Sequence, residues 1–181
     1  MKRFKLEGIV IRRRNSGEAD RFVTLFAKDY GKINLKASGV RKISSRRSAH
    51  IELLNSVEVT IHKGNGIGII TEAQTIEAFE NIKTNLRKVG FSYHMCELID
   101  GLCAEGQEHD QIYELLYQSL TKLDKAQSSS DLLSEFERNL LHLLGYLPQN
   151  HEQQTFNTSS YIEQLLERKL KSKGLIPRFL Q

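Results

Sequence analysis

The sequence predicts a β + α architecture, with a small five-stranded N-terminal barrel over residues 1–80 and a C-terminal helical domain over residues 81–181. Three observations predict it. Apolar residues recur with a period of two up to Phe79, the period then changes to nearly four, and the early runs are separated by turn-forming Gly, Asn, Asp and Ser. At 181 residues, 39% hydrophobic and 27% charged, the chain can bury one good core or two small ones. Its apolar content excludes wholesale disorder, and only 2 Pro with 12 Gly exclude a collagen-like or low-complexity chain.

The first strand is expected from Phe4 to Arg14. Phe4, Leu6, Gly8 and Val10 alternate with Lys5, Glu7, Ile9 and Ile11, and Asn15-Ser16-Gly17 ends the run. A second strand runs from Arg21 to Lys28, and the turn Asp29-Tyr30-Gly31-Lys32 leads into a third, Ile33 to Ser38, so these two form a hairpin. Residues 39–50 have no usable apolar period and are too long for a simple hairpin connection, so they read as a basic loop. Ile51 to Lys63 and Ile67 to Phe79 form a second hairpin around Gly64-Asn65-Gly66. Five strands in this length match a small closed barrel.

Helices are expected at Asn81 to Lys88, Phe91 to Ala104, Gln111 to Asp124 and Asp131 to Leu144. The last carries an apolar stripe of Leu132, Leu133, Phe136, Leu140, Leu143 and Leu144, is capped by Ser128-Ser129-Ser130-Asp131, and is stopped by Gly145 and Pro148. Residues 149–160 are polar and irregular, and a final helix runs from Tyr161 to Lys173.

Charge is unevenly distributed. The net charge of +4 conceals 14 Lys/Arg against 4 Asp/Glu in residues 1–50, 6 against 11 in residues 81–155, and 5 against 2 in residues 156–181. One basic face is therefore expected to meet a polyanion. No stretch approaches a membrane span, and Met1-Lys2-Arg3-Phe4 runs into a charged strand pattern instead of a signal peptide's apolar core, so a cytoplasmic protein with no membrane association is expected. Cys96 and Cys103 alone build neither a disulfide framework nor a four-thiolate zinc site.

The candidate binding residues are Arg12, Arg13 and Arg14 at the end of the first strand, Lys36 in the third, and Arg41, Lys42, Arg46 and Arg47 in the basic loop. Guanidinium and ammonium groups on one side of a small barrel suit phosphate-backbone binding, and Ser38, Ser44, Ser45 and Ser48 add hydroxyl donors. The same cations equally suit a solvated strand edge protected against pairing. In the tail, Lys169, Lys171 and Lys173 read either as a secondary phosphate contact or as the cationic end of a helix. Of the aromatic residues near the strands, Phe4, Phe22 and Phe26 are mostly core, and Tyr30 stands free in its turn.

Catalytic and metal chemistry find little support. Gly64-Asn65-Gly66-Ile67-Gly68 lies between two strands with no helix N-terminus to receive a phosphate, so it reads as a hairpin turn. Cys96 and Cys103, seven apart with His94 nearby, read as core lining. Glu18 with Asp20, and Glu105 with Glu108 and Asp110, read as solvated turn carboxylates, and no nucleophile, base and orienting-group set is present. A non-enzymatic protein without cofactors is expected.

Gly8-Ile9-Val10-Ile11-Arg12-Arg13, Gly17-Glu18-Ala19-Asp20-Arg21, Thr24-Leu25-Phe26, Tyr30-Gly31-Lys32 and Ala37-Ser38-Gly39-Val40-Arg41-Lys42 together resemble the N-terminal domain of RecO, the bacterial recombination mediator. Gly64 to Gly68 and Ile76-Glu77-Ala78-Phe79 resemble its fourth and fifth strands. Phe136-Glu137-Arg138 and Leu143-Leu144-Gly145-Tyr146-Leu147-Pro148 resemble its helix before the zinc segment, and Lys169-Leu170-Lys171-Ser172 its C-terminal helix. The likeness covers nearly the whole chain and is that of a short version. Many RecO proteins carry a four-cysteine zinc module where residues 149–160 here hold no cysteine.

The resemblance implies an OB-fold barrel that binds single- and double-stranded DNA, anneals complementary strands and assists RecA loading in recombinational repair. It also implies RecR and the C-terminal tail of single-stranded-DNA-binding protein as partners, RecA as an indirect one, and a nucleoid-associated location. Two other readings of the basic barrel stand beside it: an adaptor that binds an acidic peptide, and an RNA-binding OB protein.

Overall fold

The computed structural model describes residues 2–125, 130–147 and 157–174, without the side chains of Ser130 and Lys173. Five strands, β1 (Lys2–Ser16), β2 (Asp20–Ala27), β3 (Gly31–Ala37), β4 (Ser56–Lys63) and β5 (Gly68–Glu77), form a closed barrel in the order β1-β2-β3-β5-β4. Among the described residues five α-helices follow: α1 (Glu80–Lys83), α2 (Leu86–Leu102), α3 (Asp110–Lys125), α4 (Ser130–Leu143) and α5 (Thr158–Leu165). The expected β + α class and five-stranded barrel are therefore present.

Closure follows from two features. β1 is long enough to pair with β4 through Lys2 to Ile9 and with β2 through Gly8 to Ser16. At the opposite seam β3 meets β5 in parallel, with Leu35 opposite Gly68 and Lys36 opposite Ile69. A Cβ on Gly68 would lie 2.9 Å from both Ile61 Cγ2 and Leu35 Cδ2, so a glycine is what lets the last pair of strands approach. Val10, Val23, Leu25, Leu35, Val57, Val59, Ile61 and Ile70 fill the interior, and burial of these branched side chains is the main source of its stability.

β4 starts at Ser56, five residues after the expected Ile51. Leu54 has φ 74, which no strand residue adopts, and the Asn55 side-chain amide donates to the carbonyls of Ala49 (3.1 Å) and His50 (2.9 Å). Ile51 is thus a plug of the barrel core and not a strand residue. At the other end β5 stops at Glu77, and buried Phe79 has φ 47.

The barrel's compact unit also includes residues 103–110, and the helices make up a second unit. The Gly106 N–H donates to the Lys32 carbonyl at 2.8 Å, Asn34 Nδ2 donates to Glu105 Oε2 at 2.9 Å, and the Asp29 N–H donates to Asp110 Oδ1 at 3.2 Å. Glu105 and Asp110, expected to be solvated, instead fasten this segment to the β2–β3 hairpin. The fastening requires Gly31, which has φ +78 and where a Cβ would sit 1.7 Å from the Gln107 carbonyl oxygen.

In the helical unit the expected helix 81–88 is broken. Asn85 Oδ1 accepts from the N–H groups of Arg87 (3.0 Å) and Lys88 (3.2 Å), so a capping residue ends one helix and begins the next. α4 ends near Gly145, whose φ is 79. The expected Ser128-Ser129 cap, Pro148 and residues 149–156 lie outside the described residues. Residues 158–160 already belong to α5, capped by Asn157, and the helix stops at Leu165 instead of Lys173, with Glu167 at φ 52. A single 3₁₀ turn, Ser172–Gly174, completes the segment.

A buried polar chain holds this segment to α2 and α4. His94 and Glu137 are 1% and 3% exposed, and His94 Nε2 lies 2.8 Å from Glu137 Oε1. The Ser159 hydroxyl donates to Glu137 at 2.9 Å, as does that of Thr158, while His94 Nδ1 lies 2.7 Å from Ser172 Oγ. The Ser172 hydroxyl in turn donates to Glu97 Oε2 at 2.6 Å. Glu97 also accepts from the N–H groups of Lys171 and Ser172 and from Arg168. Burial pushes the Glu97 carboxyl up, but the hydrogen bonds from Ser172, Arg168 and the backbone outweigh it and bring it down to about 2. The same contest leaves Glu137 below its ordinary value, with His94, Thr158 and Ser159 opposing burial.

Two outcomes are expected. A carboxyl depressed in the fold stabilises it above its unfolded value, so stability falls as pH drops from about 4.5 towards about 2. Glu97→Gln flattens this acid loss in denaturant midpoints measured against pH. Gly31→Ala destabilises the barrel unit by about 2–4 kcal/mol, from the left-handed φ and the carbonyl overlap, as read by urea unfolding.

Candidate nucleic-acid interface

The register of β1 decides which arginines point outward. β1 carries a bulge between Val10 and Arg12, so Val10 opposes Leu25 while Arg12 opposes Thr24. Regular alternation from inward-facing Val10 would turn Arg12 and Arg14 towards the interior. The bulge reverses this parity and sends Arg12 and Arg14 outward, with Arg13 at the rim of the core-facing side.

Two rows of outward side chains cross the sheet. Arg12, Thr24 and Asn34 form one, and Arg14, Phe22, Lys36 and Ile69 the other. The Arg14 guanidinium sits 5.4 Å from the Phe22 ring centroid, a cation–π distance. Arg12, Arg14, Phe22, Thr24, Asn34 and Ile67 line a shallow cleft of about 300 Å³. The Thr24 hydroxyl donates to Asn34 Oδ1 at 2.7 Å, which fixes the amide with its NH₂ towards Glu105. Lys36 pairs with Asp20 at 2.9 Å. Hydrogen bonds from Lys36 and from the Gly39 N–H hold the Asp20 carboxyl below its ordinary value.

Arg13 is elsewhere. It pairs with Glu52 at 2.5 Å, and Arg21 reaches the same carboxylate at 3.4 Å. Arg13 and Arg21 line a separate cleft of about 290 Å³ with Asn15 and Leu53.

The basic loop is braced at both ends. The Gly39 N–H donates to Asp20 Oδ1 at 2.8 Å, the Arg41 N–H to the Ala19 carbonyl at 2.9 Å, and Arg41 Nη1 to the Gly17 carbonyl at 3.0 Å. Arg47 Nη2 donates to the Ser38 carbonyl at 2.7 Å and Nη1 to that of Ile70, so this guanidinium ties the loop to the ends of β3 and β5. Lys42 and Arg46 are exposed and form no ion pair among the described residues. They face a cleft of about 580 Å³ together with Ser44, Ser45, Arg47, His50 and the acidic Glu72.

The eight predicted residues thus divide. Arg12, Arg14 and Lys36 share the sheet face and Lys42, Arg46 and Arg47 the loop cleft; carboxylates pair with Arg13 and Lys36, and carbonyls accept from Arg41 and Arg47. In the helical unit Lys169 and Lys171 are exposed, while the Lys173 side chain lies outside the described residues. Tyr30 is not free: it packs against the barrel core and its hydroxyl accepts from Lys63 Nζ at 3.4 Å. Sequence reasoning misses Thr24, Asn34, Ile67 and Ile69 and assigns Phe22 to the core. The period-two pattern of β2 carries a signal, since Phe22 and Thr24 alternate with core Val23 and Leu25.

The residues present do not fit a four-thiolate zinc centre. Cys96 and Cys103 are both buried. Burial, then Asp100, pushes the Cys96 thiol up to about 12, and burial pushes Cys103 up to about 11 against the pull of Lys32, so both stay protonated at neutral pH. No cluster of three or more His, Cys, Asp or Glu suited to a metal occurs among the described residues, and none of their helices is long and apolar enough to cross a membrane.

Residues 1–79 match the family description "Recombination protein O N terminal", and residues 83–153 match "Recombination protein O C terminal". The chain belongs to the RecO family. The DNA repair protein RecO of Dehalococcoides mccartyi is 37% identical over 149 residues, covering 82% of this chain and 59% of that protein. Its counterpart from Roseiflexus sp. is 34% identical over 149 residues, covering 82% and 52%, and that from Listeria monocytogenes 33% over 144 residues, covering 80% and 56%. This RecO-family chain therefore spans between half and three fifths of the length of these curated relatives.

Removing the Arg47 tie takes one donor from each of two carbonyls, those of Ser38 and Ile70. Arg47→Ala is expected to destabilise the barrel unit by about 1–3 kcal/mol. Lys42→Ala and Arg46→Ala, on exposed side chains without ion pairs, change stability by less than about 0.5 kcal/mol. Urea denaturation of the three variants separates the anchor from the available cations.

Proposed function

We propose that this chain is a non-enzymatic, DNA-binding mediator of recombinational repair, which holds single- and double-stranded DNA on its barrel and anneals complementary strands. The observation that carries the proposal is the outward pair Arg12 and Arg14 set around Phe22 on the β1–β2–β3 face, where OB-folds take oligonucleotides. The loop cations Lys42 and Arg46 add a second set of phosphate contacts. Arg13, Lys36, Arg41 and Arg47 act indirectly, by holding the strands and loop that present the others. The names of the relatives, all DNA repair protein RecO, support the same reading.

In this proposal residues 1–80 are the nucleic-acid-binding domain and residues 81–181 the helical domain, with Lys169, Lys171 and Lys173 as a secondary DNA contact. RecR, the C-terminal tail of single-stranded-DNA-binding protein and, indirectly, RecA are its partners, and its place is in the cytoplasm on the nucleoid. The physics suits annealing. Two polyanions repel, so a carrier must neutralise phosphates while leaving base edges free to pair. Arginine and lysine on an open sheet face do this without groove readout.

The test measures binding and annealing of complementary labelled oligonucleotides at several salt concentrations, with a chelator control and an RNA arm. Wild-type protein is expected to anneal in a salt-sensitive, chelator-insensitive manner. Arg12→Ala with Arg14→Ala, and Lys42→Ala with Arg46→Ala, weaken binding to all sequences alike and flatten the log–log salt slope by about 0.7–0.9 for each phosphate no longer neutralised. Unchanged affinity in both double variants removes the barrel from the site.

A further inference from the structure

We propose that Ile43 is a wedge that enters between adjacent bases of bound DNA, so that the basic loop unstacks the strand it holds; this rests on the DNA-binding reading above. Ile43 is 107% exposed, against 70% for Leu86, the next most exposed large hydrophobic residue among those described. It contributes nothing to the core. Burying it against a partner recovers the hydrophobic free energy that the fold leaves unused.

The side chain stands on a prepared mount. Gly39 and Arg41 tie the entering limb of the loop to the β1–β2 turn, and Arg47 ties the leaving limb to the carbonyls of Ser38 and Ile70. Between these anchors the Lys42 N–H donates to the Gly39 carbonyl at 3.2 Å and the Ser45 N–H to the Lys42 carbonyl at 2.9 Å, so the tip itself is a pair of tight turns. A β-branched isoleucine adds stiffness at χ1. Apolar wedges of this kind, Ile among them, are used by DNA-binding proteins to part stacked base steps.

The surroundings select the partner. Lys42 and Ser44 are the chain neighbours of Ile43 and Arg46 follows three residues on, so a surface that is anionic around an apolar slot complements the tip. Nucleic acid has that pattern, with phosphates outside and stacked base faces within. A protein pocket with an acidic rim would match the same charges, and a response to an acidic peptide in place of DNA distinguishes it.

The experiment uses the full chain with duplex and single-stranded oligonucleotides carrying 2-aminopurine, whose fluorescence rises on unstacking. Wild-type binding is expected to raise the signal. Ile43→Ser is expected to abolish that rise while affinity stays within about threefold, because phosphate contacts carry most of the binding. The chain contains no tryptophan, so Ile43→Trp supplies a single fluorescent reporter, expected to be quenched when it stacks between bases. Thermal melts of both variants are expected to match wild type. DNA binding without a 2-aminopurine rise, or with indole fluorescence unquenched in Ile43→Trp, overturns the wedge and leaves the DNA-binding reading standing. Absence of wild-type binding at low salt removes both, and an Ile43→Ser defect seen only towards an acidic peptide assigns the tip to a protein contact instead.

Discussion

One extra residue in β1 sets the character of the barrel surface. The side-chain period of a strand is two, so a single inserted residue exchanges the faces of everything beyond it. Here the insertion falls between Val10 and Arg12, immediately where the apolar run gives way to three arginines. Before it, Val10 fills the interior; after it, Arg12 and Arg14 point outward and Arg13 turns to the rim, where Glu52 pairs with it. Without the bulge two guanidinium groups would face the core, where desolvation of a charge is costly. The bulge therefore serves packing and the candidate interface together.

The basic excess of the first 50 residues is less available than its size suggests. Glu52 binds Arg13 and Arg21, Asp20 binds Lys36 and the Gly39 N–H, and carbonyls of Gly17, Ser38 and Ile70 bind Arg41 and Arg47. These contacts organise instead of attracting. A loop of twelve residues with no apolar period would have many conformations; two arginines that tie it to strand ends and to the β1–β2 turn reduce them. Cations that hold the loop make the remaining cations effective, since a fixed charge need not be ordered again when a phosphate arrives.

The barrel is legible from residue pattern because its signals are local: alternation, hairpin turns and a change of period after Phe79. The two carboxylates that tie segment 103–110 to the β2–β3 hairpin, Glu105 and Asp110, are not, since their partners Asn34 and Asp29 are more than seventy positions away. The pattern makes β4 too long because Ile51, Leu53 and Leu54 look like strand residues, and nothing in their identity announces a left-handed Leu54. The site is half legible. Charge marks the correct region, but whether an arginine faces solvent or a carboxylate depends on register, and register depends on a bulge that no composition rule shows. Likewise the final helix expected as far as Lys173 stops short, because Glu97 and His94 hold Lys171 and Ser172 where the chain leaves the helix and makes a separate 3₁₀ turn.

On the DNA-binding reading, the sheet face holds a strand chiefly through its phosphates. Phe22 is an aromatic group on that face, and Arg14 already lies over its ring. A base that stacks there must displace or sandwich the guanidinium, so part of the gain is cancelled by disruption of the cation–π pair. Phosphate attraction then dominates, and it acts alike on a strand and on its complement. A surface built for tight single-strand capture would leave its aromatics open. This one covers its ring with a cation, which leaves phosphate contacts with the larger share of any binding.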